Sequence, residues 1–253
     1  MHKYFAKTQL LGKKVIFLSQ CHSTNDEARA YIQQNPDFAE GITIITSNQT
    51  NGRGQRGNNW ISPPHVNATF SILLRPKFLS TSRQFDLNII ISIGIHRALT
   101  DILGDGVSVK WPNDIFVGNN KLGGILIESF VKGEQISSSI VGIGININQT
   151  IFQIEHATSL RSKTGASFEI NDVIERILLS LEKVYQSAQN EDMALLKAEY
   201  ARLLYKIHKQ TDFQIHDRRF QGIIKGVTDN GKLIVEESNA ISTYEIKEIS
   251  MII

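Results

Sequence analysis

Three segments of this chain concentrate residues able to bind anions or polar ligands. Gly52, Arg53, Gly54, Gln55, Arg56 and Gly57 set three glycines and two arginines within six positions. Glycine amides, with no Cβ in the way, can approach an oxyanion, and guanidinium groups can neutralise one. The spacing also satisfies GxGxxG, the dinucleotide fingerprint, but its surroundings do not. That fingerprint opens a helix and is followed about 20 residues later by an acid. Here residues 58–64 read NNWISPP, which cannot make a useful helix, and residues 72–78 offer Arg75 and Lys77 instead of an acid. A Walker A loop is excluded because no Gly-Lys-Ser/Thr follows. Taken alone, the segment is either a phosphate or carboxylate site or a solvated glycine turn.

The second segment is Lys110, Trp111, Pro112, Asn113 and Asp114, followed by Lys121, Gly123 and Gly124. Polar groups at the end of a buried strand, beside an aromatic face, are costly unless they bind one another or a ligand. The plainer alternative is that Asn113 and Asp114 cap a turn. In the third segment, Gly142 and Gly144 interrupt a β-branched strand, exchanging strand propensity for close backbone approach. Asn146 beyond them could read an adenine edge; crowding of the strand against a helix would explain the glycines equally well. The only cysteine, Cys21, excludes an intrachain disulfide framework and a Cys-rich zinc site. It reads as a small buried residue rather than a nucleophile. The seven histidines form no HExxH and no tight cluster.

These residues need elements to position them. Residues 14–18 and 41–46 read as strands. Thr24 and Glu27 have capping-box spacing, which predicts a helix to about residue 33. Residues 48–59 are polar and glycine-rich, predicting a flexible loop of functional length. Alternation over residues 67–74 predicts a largely buried strand, and the apolar spacing over 84–103 a largely buried helix. Strands are expected at 107–110, 114–117, 123–131 and 137–148, the second and third as a hairpin, and helices over 171–188 and about 192–204. Near residue 205 the texture changes to short strands, at 213–216, 219–227, 232–236 and 241–245, separated by polar turns. The expected fold class is therefore α/β (α+β), with a mixed, antiparallel-rich sheet over residues 1–206. A small β barrel is expected over 207–253, leaning on the main domain because it is too small for much core of its own.

Composition sets outer bounds. The chain has 253 residues, 41% of them hydrophobic and 21% charged, an ordinary globular balance. Its 27 basic and 25 acidic side chains leave a net charge of +2. Residues 1–168 hold 16 Lys and Arg against 11 Asp and Glu, a mild surplus that suits a local anion site and argues against a DNA-coating surface. The N-terminal residues lack a signal-peptide pattern, and no apolar run approaches the roughly 20 residues needed to cross a bilayer. A cytoplasmic protein without membrane contact is expected.

Taken in order, STN at 23–25, Gln49 with GRGQRG at 52–57 and Trp60, KWPND at 110–114, KLGGILIE at 121–128 and GIGININ at 142–148 resemble the biotin–protein ligase family. The resemblance runs from about residue 14 to 253. It implies a mixed-sheet catalytic domain followed by an SH3-like barrel, and ATP-dependent formation of biotinyl-5′-AMP. Biotin then passes to a lysine of a biotin carboxyl carrier protein domain. By the same resemblance, Ser23, Thr24, Asn25 and Gln49 line the biotin pocket. Gly52, Arg53, Gly54, Gln55 and Arg56 form the loop over biotin and the adenylate. Trp60 stacks on adenine and Asn146 hydrogen-bonds it, while Lys121 sits at the biotin carboxylate and α-phosphate. Asp114 organises Mg²⁺ or the phosphate region, and Lys110 and Asn113 belong to the same wall. Gly124, Gly142 and Gly144 give backbone contacts. Lys121, Arg53 and Asp114 are thus the expected catalytic residues.

One departure stands out: Gln55 occupies the place where the family's commoner loop carries a second arginine, so the adenylate would be held less tightly unless Arg56 compensates. Some family members add an N-terminal helix-turn-helix; STN lies so near the start that the short, monofunctional form is the expected match, with no DNA partner. Relatives often form homodimers. Two rival readings compete with this one. A lipoate- or octanoate-handling enzyme shares the acyl-to-lysine logic but lacks the GRGxxG-W and KWPND pairing. A nucleic-acid-binding module is disfavoured because residues 207–253 carry 6 basic against 7 acidic side chains and few aromatics.

Overall fold

A computed structural model describes residue 5, residues 7–190 and residues 193–252, except for the Arg56 side chain. Its centre is a seven-stranded sheet in the order β1-β2-β5-β9-β8-β7-β6. The strands are β1 (Val15–Leu18), β2 (Thr43–Thr46), β5 (Ala68–Leu74), β6 (Val107–Lys110), β7 (Asp114–Val117), β8 (Asn120–Lys132) and β9 (Gln135–Ile145). Only β1 and β2 pair in parallel; every other neighbouring pair is antiparallel.

The middle strand β5 is buried along its whole length. Because successive strand side chains point to opposite faces, Ile72 and Leu74 join one apolar cluster while Leu73, between them, joins the other. Helix α1 (Thr24–Gln34) supplies Ala28 to the smaller cluster. Helices α2 (Gln84–Leu103) and α4 (Ile170–Asn190) cover the opposite face, with Ile90, Ile93, Ile177 and Leu181 in the larger cluster. Helix α5 (Met193–Leu203) and the short α3 (Leu160–Thr164) pack beside α2. No helix among the described residues is long and apolar enough to cross a membrane.

A second sheet of five strands, in the order β13-β12-β11-β10-β14, follows: β10 (Gln210–Ile215), β11 (Arg218–Val227), β12 (Leu233–Glu237), β13 (Ala240–Tyr244) and β14 (Ser250–Met251). The expected barrel is not closed. β14 has two residues and pairs only with β10, β13 pairs only with β12, and no ladder joins these two edges among the described residues. The sheet leans on the main body as expected. Phe213, Leu233 and Val235 share the larger core cluster, and Trp111 Nε1 donates to Gly231 O at 2.9 Å. Nearby, the Lys197 ammonium lies 2.6 Å from Asp229 and 3.4 Å from Asp86, a fully buried carboxylate on α2.

Two local expectations are corrected. The glycine-rich segment is not an open loop but a small hairpin, with β3 (Gly52–Arg53) paired to β4 (Asn59–Trp60) around a 3-10 turn at Gln55–Gly57. The capping box does not form. Ser23, not Thr24, is the N-cap and makes no side-chain cap bond, while the Thr24 hydroxyl accepts from the Ser71 hydroxyl at 2.7 Å instead of capping. The Thr24 N–H donates to Gln49 Oε1 at 2.8 Å instead.

Candidate active site

A cavity of about 310 Å³ opens where the start of α1, the hairpin, the ends of β6 to β9 and the second sheet meet. Its innermost polar wall comes from Ser23, Thr24 and Asn25, all buried at the start of α1. Their side chains are fixed from below. The Ser71 hydroxyl, on β5, is 2.7 Å from both the Thr24 hydroxyl and Asn25 Oδ1, while Asn25 Nδ2 donates to Glu128 Oε2 at 2.8 Å. Gly142 on β9 makes room for this arrangement, since a Cβ there would fall 2.3 Å from Asn25 Oδ1. Gln49, which caps α1, lines the same end.

The charged wall follows from sheet register. Antiparallel pairing sets Lys110 opposite Asp114 and Asp114 opposite Gly124. Lys121, from the start of β8, brings its ammonium to 2.7 Å from Asp114 Oδ1. Asp114 is the only carboxylate residue among the described residues lining the cavity; the lining cations include Lys110, Lys121 and Arg53. Burial pushes the Lys110 ammonium below the ordinary lysine range, with Lys121 adding to the shift and Asp114 opposing it. Asn113 also lines the cavity, but its Nδ2 donates to Ile125 O at 2.6 Å, so its amide pins β7 to β8. The cis bond between Trp111 and Pro112 lies in this stretch.

The hairpin forms the lid side. Gly54, Gln55 and Trp60 line the cavity, and Arg53 bridges Asp26, at 2.5 Å, and Glu128. The Trp60 indole lies across Gly144, where a Cβ would fall 2.4 Å from Cε2. Its Nε1 is buried without a hydrogen-bond partner among the described residues. Together these groups could bind a neutral polar group at the α1 end, a carboxylate and a phosphate beside the lysines, and a flat aromatic ring against Trp60.

Not every expected residue reaches the cavity. Gly52 lies behind it, with a Cβ position 2.2 Å from Trp60 O, and is needed for the hairpin's own pairing. Asn146 is buried outside the lining, where its Nδ2 donates to Thr158 O at 3.0 Å. The Arg56 side chain lies outside the described residues. Cys21 is buried outside the lining, and burial raises its thiol above the ordinary range. Conversely, the sequence reading missed the wall supplied by the second sheet, including Phe213, Leu233, Ile249 and Met251. It also missed Asp26 and Glu128, the two acids that hold Arg53.

A sequence model described as the Biotin/lipoate A/B protein ligase family matches residues 18–146, which contain α1, the hairpin and every strand of the large sheet except β1's first three residues. A bifunctional ligase/repressor from Bacillus subtilis is 26% identical over 254 residues, covering 98% of this chain and 77% of its own. A biotin–[acetyl-CoA-carboxylase] ligase from Paracoccus denitrificans is 23% identical over 226 residues, covering 86% and 92%. Among solved structures, the biotin protein ligase from Aquifex aeolicus in complex with biotin and ATP superposes with a TM-score of 0.78 at 24% identity, covering 94% of this chain and 98% of that one. That likeness extends the shared fold through the second sheet, and the match over half of the sequence settles the kinship: the chain belongs to the biotin/lipoate A/B protein ligase family.

Proposed function

We propose that this protein is an ATP-dependent biotin–protein ligase that makes biotinyl-5′-AMP and passes biotin to a lysine of a biotin carboxyl carrier protein domain. One observation carries the reading. All five sequence segments, distant along the chain, line one cavity, the last of them through Gly142, Ile143 and Gly144. Two of the similar proteins named above are themselves described as ligases of biotin.

A free carboxylate resists attack by an amine because its oxide is a poor leaving group. In the first step a biotin carboxylate oxygen attacks the α-phosphorus of ATP, the bond to the bridging oxygen breaks, and pyrophosphate departs. Two anions must meet, so preorganised positive groups lower this barrier. Lys121 is placed to hold the carboxylate against the phosphate, with Asp114 orienting its ammonium. Ser23, Thr24, Asn25 and Gln49 give the polar head of biotin its partners, and Trp60 faces the adenine.

Asn146 we place behind the nucleotide rather than on it, because its Nδ2 is already bound by Thr158. In the second step a neutral lysine amine of the acceptor attacks the acyl carbon, AMP leaves with the bonding pair, and the amine loses a proton. No enzyme nucleophile is required, which suits a cysteine buried outside the cavity. Hairpin closure would exclude water from the anhydride.

Among the described residues no cluster of three His, Cys, Asp or Glu could cage a metal. Mg²⁺ would enter with the triphosphate, which commonly holds it with one or two protein carboxylates. Asp114 is the carboxylate in place, and the ion would screen phosphate charge there. ATP as substrate supports the cytoplasm as the site of action. Residues 1–206 would form the catalytic domain and residues 207–253 the second domain.

The test is pyrophosphate release from Mg-ATP by the purified chain without acceptor. Biotin should stimulate it and be bound more tightly than lipoate in calorimetry. Release stimulated by lipoate but not by biotin would overturn the assignment.

A further inference from the structure

Glu128 ends the KLGGILIE segment on β8 and does not line the cavity, yet it holds two groups that do. Its Oε2 accepts from Asn25 Nδ2 at 2.8 Å, in the acyl wall. Its Oε1 accepts from Arg53 Nη2, in the hairpin, and from Arg29 Nη2 at 2.7 Å. The side chain is only 18% exposed, so these bonds are shielded from water. Asp26 takes the other arginine nitrogen of Arg53, and Arg29 also rests on the Phe130 ring at 5.2 Å.

Two features make the contact more than an ordinary ion pair. First, two guanidinium groups meet at a single carboxylate oxygen, a like-charge approach tolerable only while the carboxylate lies between them. Arg29, Arg53, Asp26 and Glu128 together carry no net charge, so the Arg53 charge is already balanced locally. Second, three donors converge on two oxygens. A glutamine would keep one acceptor and turn an NH₂ toward either Asn25 or an arginine, setting donor against donor. No neutral side chain of this shape satisfies all three.

We propose that Glu128 is a positioning residue that couples the acyl pocket to the hairpin: one carboxylate orients Asn25 and holds Arg53, so the pocket and its lid are ordered together. Asn25 cannot move without disturbing the partner of Arg53, and the hairpin cannot lift without unbalancing the group that orients Asn25. With only two residues in each hairpin strand, this ionic anchor, rather than the ladder, fixes the lid. The substrate-level consequence rests on the biotin and ATP reading given above; the order of the hairpin does not.

The experiment uses the full chain, its Glu128→Gln variant and its Glu128→Asp variant. Amide hydrogen exchange is followed over residues 52–60 in ligand-free protein, alongside calorimetric biotin binding and the rate at which biotinyl-adenylate escapes. Glu128→Gln should speed hairpin exchange, weaken biotin binding and speed adenylate escape, each by about tenfold or more, the range expected for a charged hydrogen bond. Exchange elsewhere in the large sheet should stay at the parent's rate, which a general loss of structure would not allow. Glu128→Asp keeps the charge but is too short to span Asn25 and Arg53 together. It should therefore also speed hairpin exchange, and it keeps the test available if the glutamine variant does not fold. Hairpin exchange within twofold of the parent in the folded variants would overturn the proposal. A parent chain that fails to bind biotin would instead refute the functional reading, leaving hairpin exchange to decide the coupling.

Discussion

Substituting Gly142 by alanine places a methyl group where the structure has none to spare. The new Cβ would stand 2.3 Å from Asn25 Oδ1 and 3.0 Å from Asn25 Cγ. β9 is paired on both sides, to β5 and β8, so its backbone cannot recede. Asn25 must therefore withdraw by roughly 1 Å to restore ordinary contact. That withdrawal strains its bonds to Ser71 and to the charged Glu128, the second worth about 1.5–3 kcal/mol. Overpacking alone costs about 1–3 kcal/mol, so a total near 3 kcal/mol and a fall in Tm of about 6–12 °C are expected. Losing one or two hydrogen bonds from a displaced Asn25 weakens biotin binding by about 10- to 150-fold.

Gly144→Ala is the control. Its Cβ would meet the Trp60 indole ring, which can turn aside about its own side-chain torsions while the hairpin backbone stays anchored. Nucleotide affinity should fall while biotin affinity and Tm change little. Calorimetric titration of both variants with biotin alone separates the cases. Biotin affinity within threefold of the parent in Gly142→Ala would refute the placement of Asn25 in the acyl wall.

Other perturbations have equally definite outcomes. Lys121→Met should lower the rate of biotin-dependent pyrophosphate release by about 10²–10³-fold, the usual cost of losing a preorganised charge, while the variant melts near the parent temperature. Glu182 is buried on α4 and accepts the backbone N–H groups of Gln9, Leu10 and Leu11 at 2.8, 2.6 and 2.8 Å. Glu182→Ala should therefore cost about 3 kcal/mol, read by thermal or denaturant melting. His96 bonds to Val107 O at 3.1 Å, and burial lowers its pKa below 6.5. Below that value the unfolded chain takes up a proton that the folded one resists, so stability falls as pH drops from about 6.5 toward the lower folded value. The slope approaches 1.4 kcal/mol per pH unit, and His96→Gln should remove this component in denaturant melts at pH 7.5 and 5.5.

The large sheet and its main helices were legible because their signals are local: the β-branched run at 41–46, alternation over 67–74 and helical spacing over 84–103 survive without tertiary help. The site was legible for a different reason. Its polar and glycine residues cluster in short segments whose chemistry is unusual for strands. What could not be read depended on contacts made far along the chain. Arg53 and Glu128 are 75 positions apart, and nothing near either names the other. Thr24 has the spacing of a capping residue, but the Ser71 hydroxyl engages its side chain. Phe213, Leu233 and Ile249 look like ordinary core residues, and only the docking of the second sheet turns them into a cavity wall. The hairpin was hidden because Gly52 has poor strand propensity and pairs through backbone alone. Closure of the small barrel was overpredicted because strand count says nothing about whether the two edge strands are long enough to meet.

The most direct test of the whole account is transfer itself. Incubating the purified protein with biotin, Mg-ATP and a biotin-free carrier domain, followed by intact-mass spectrometry, should add a single biotinyl group to one lysine. Addition should cease when either biotin or ATP is omitted, or when that lysine is replaced by arginine. A carrier domain that gains no biotin while a known biotin ligase modifies it under the same conditions would contradict the central claim.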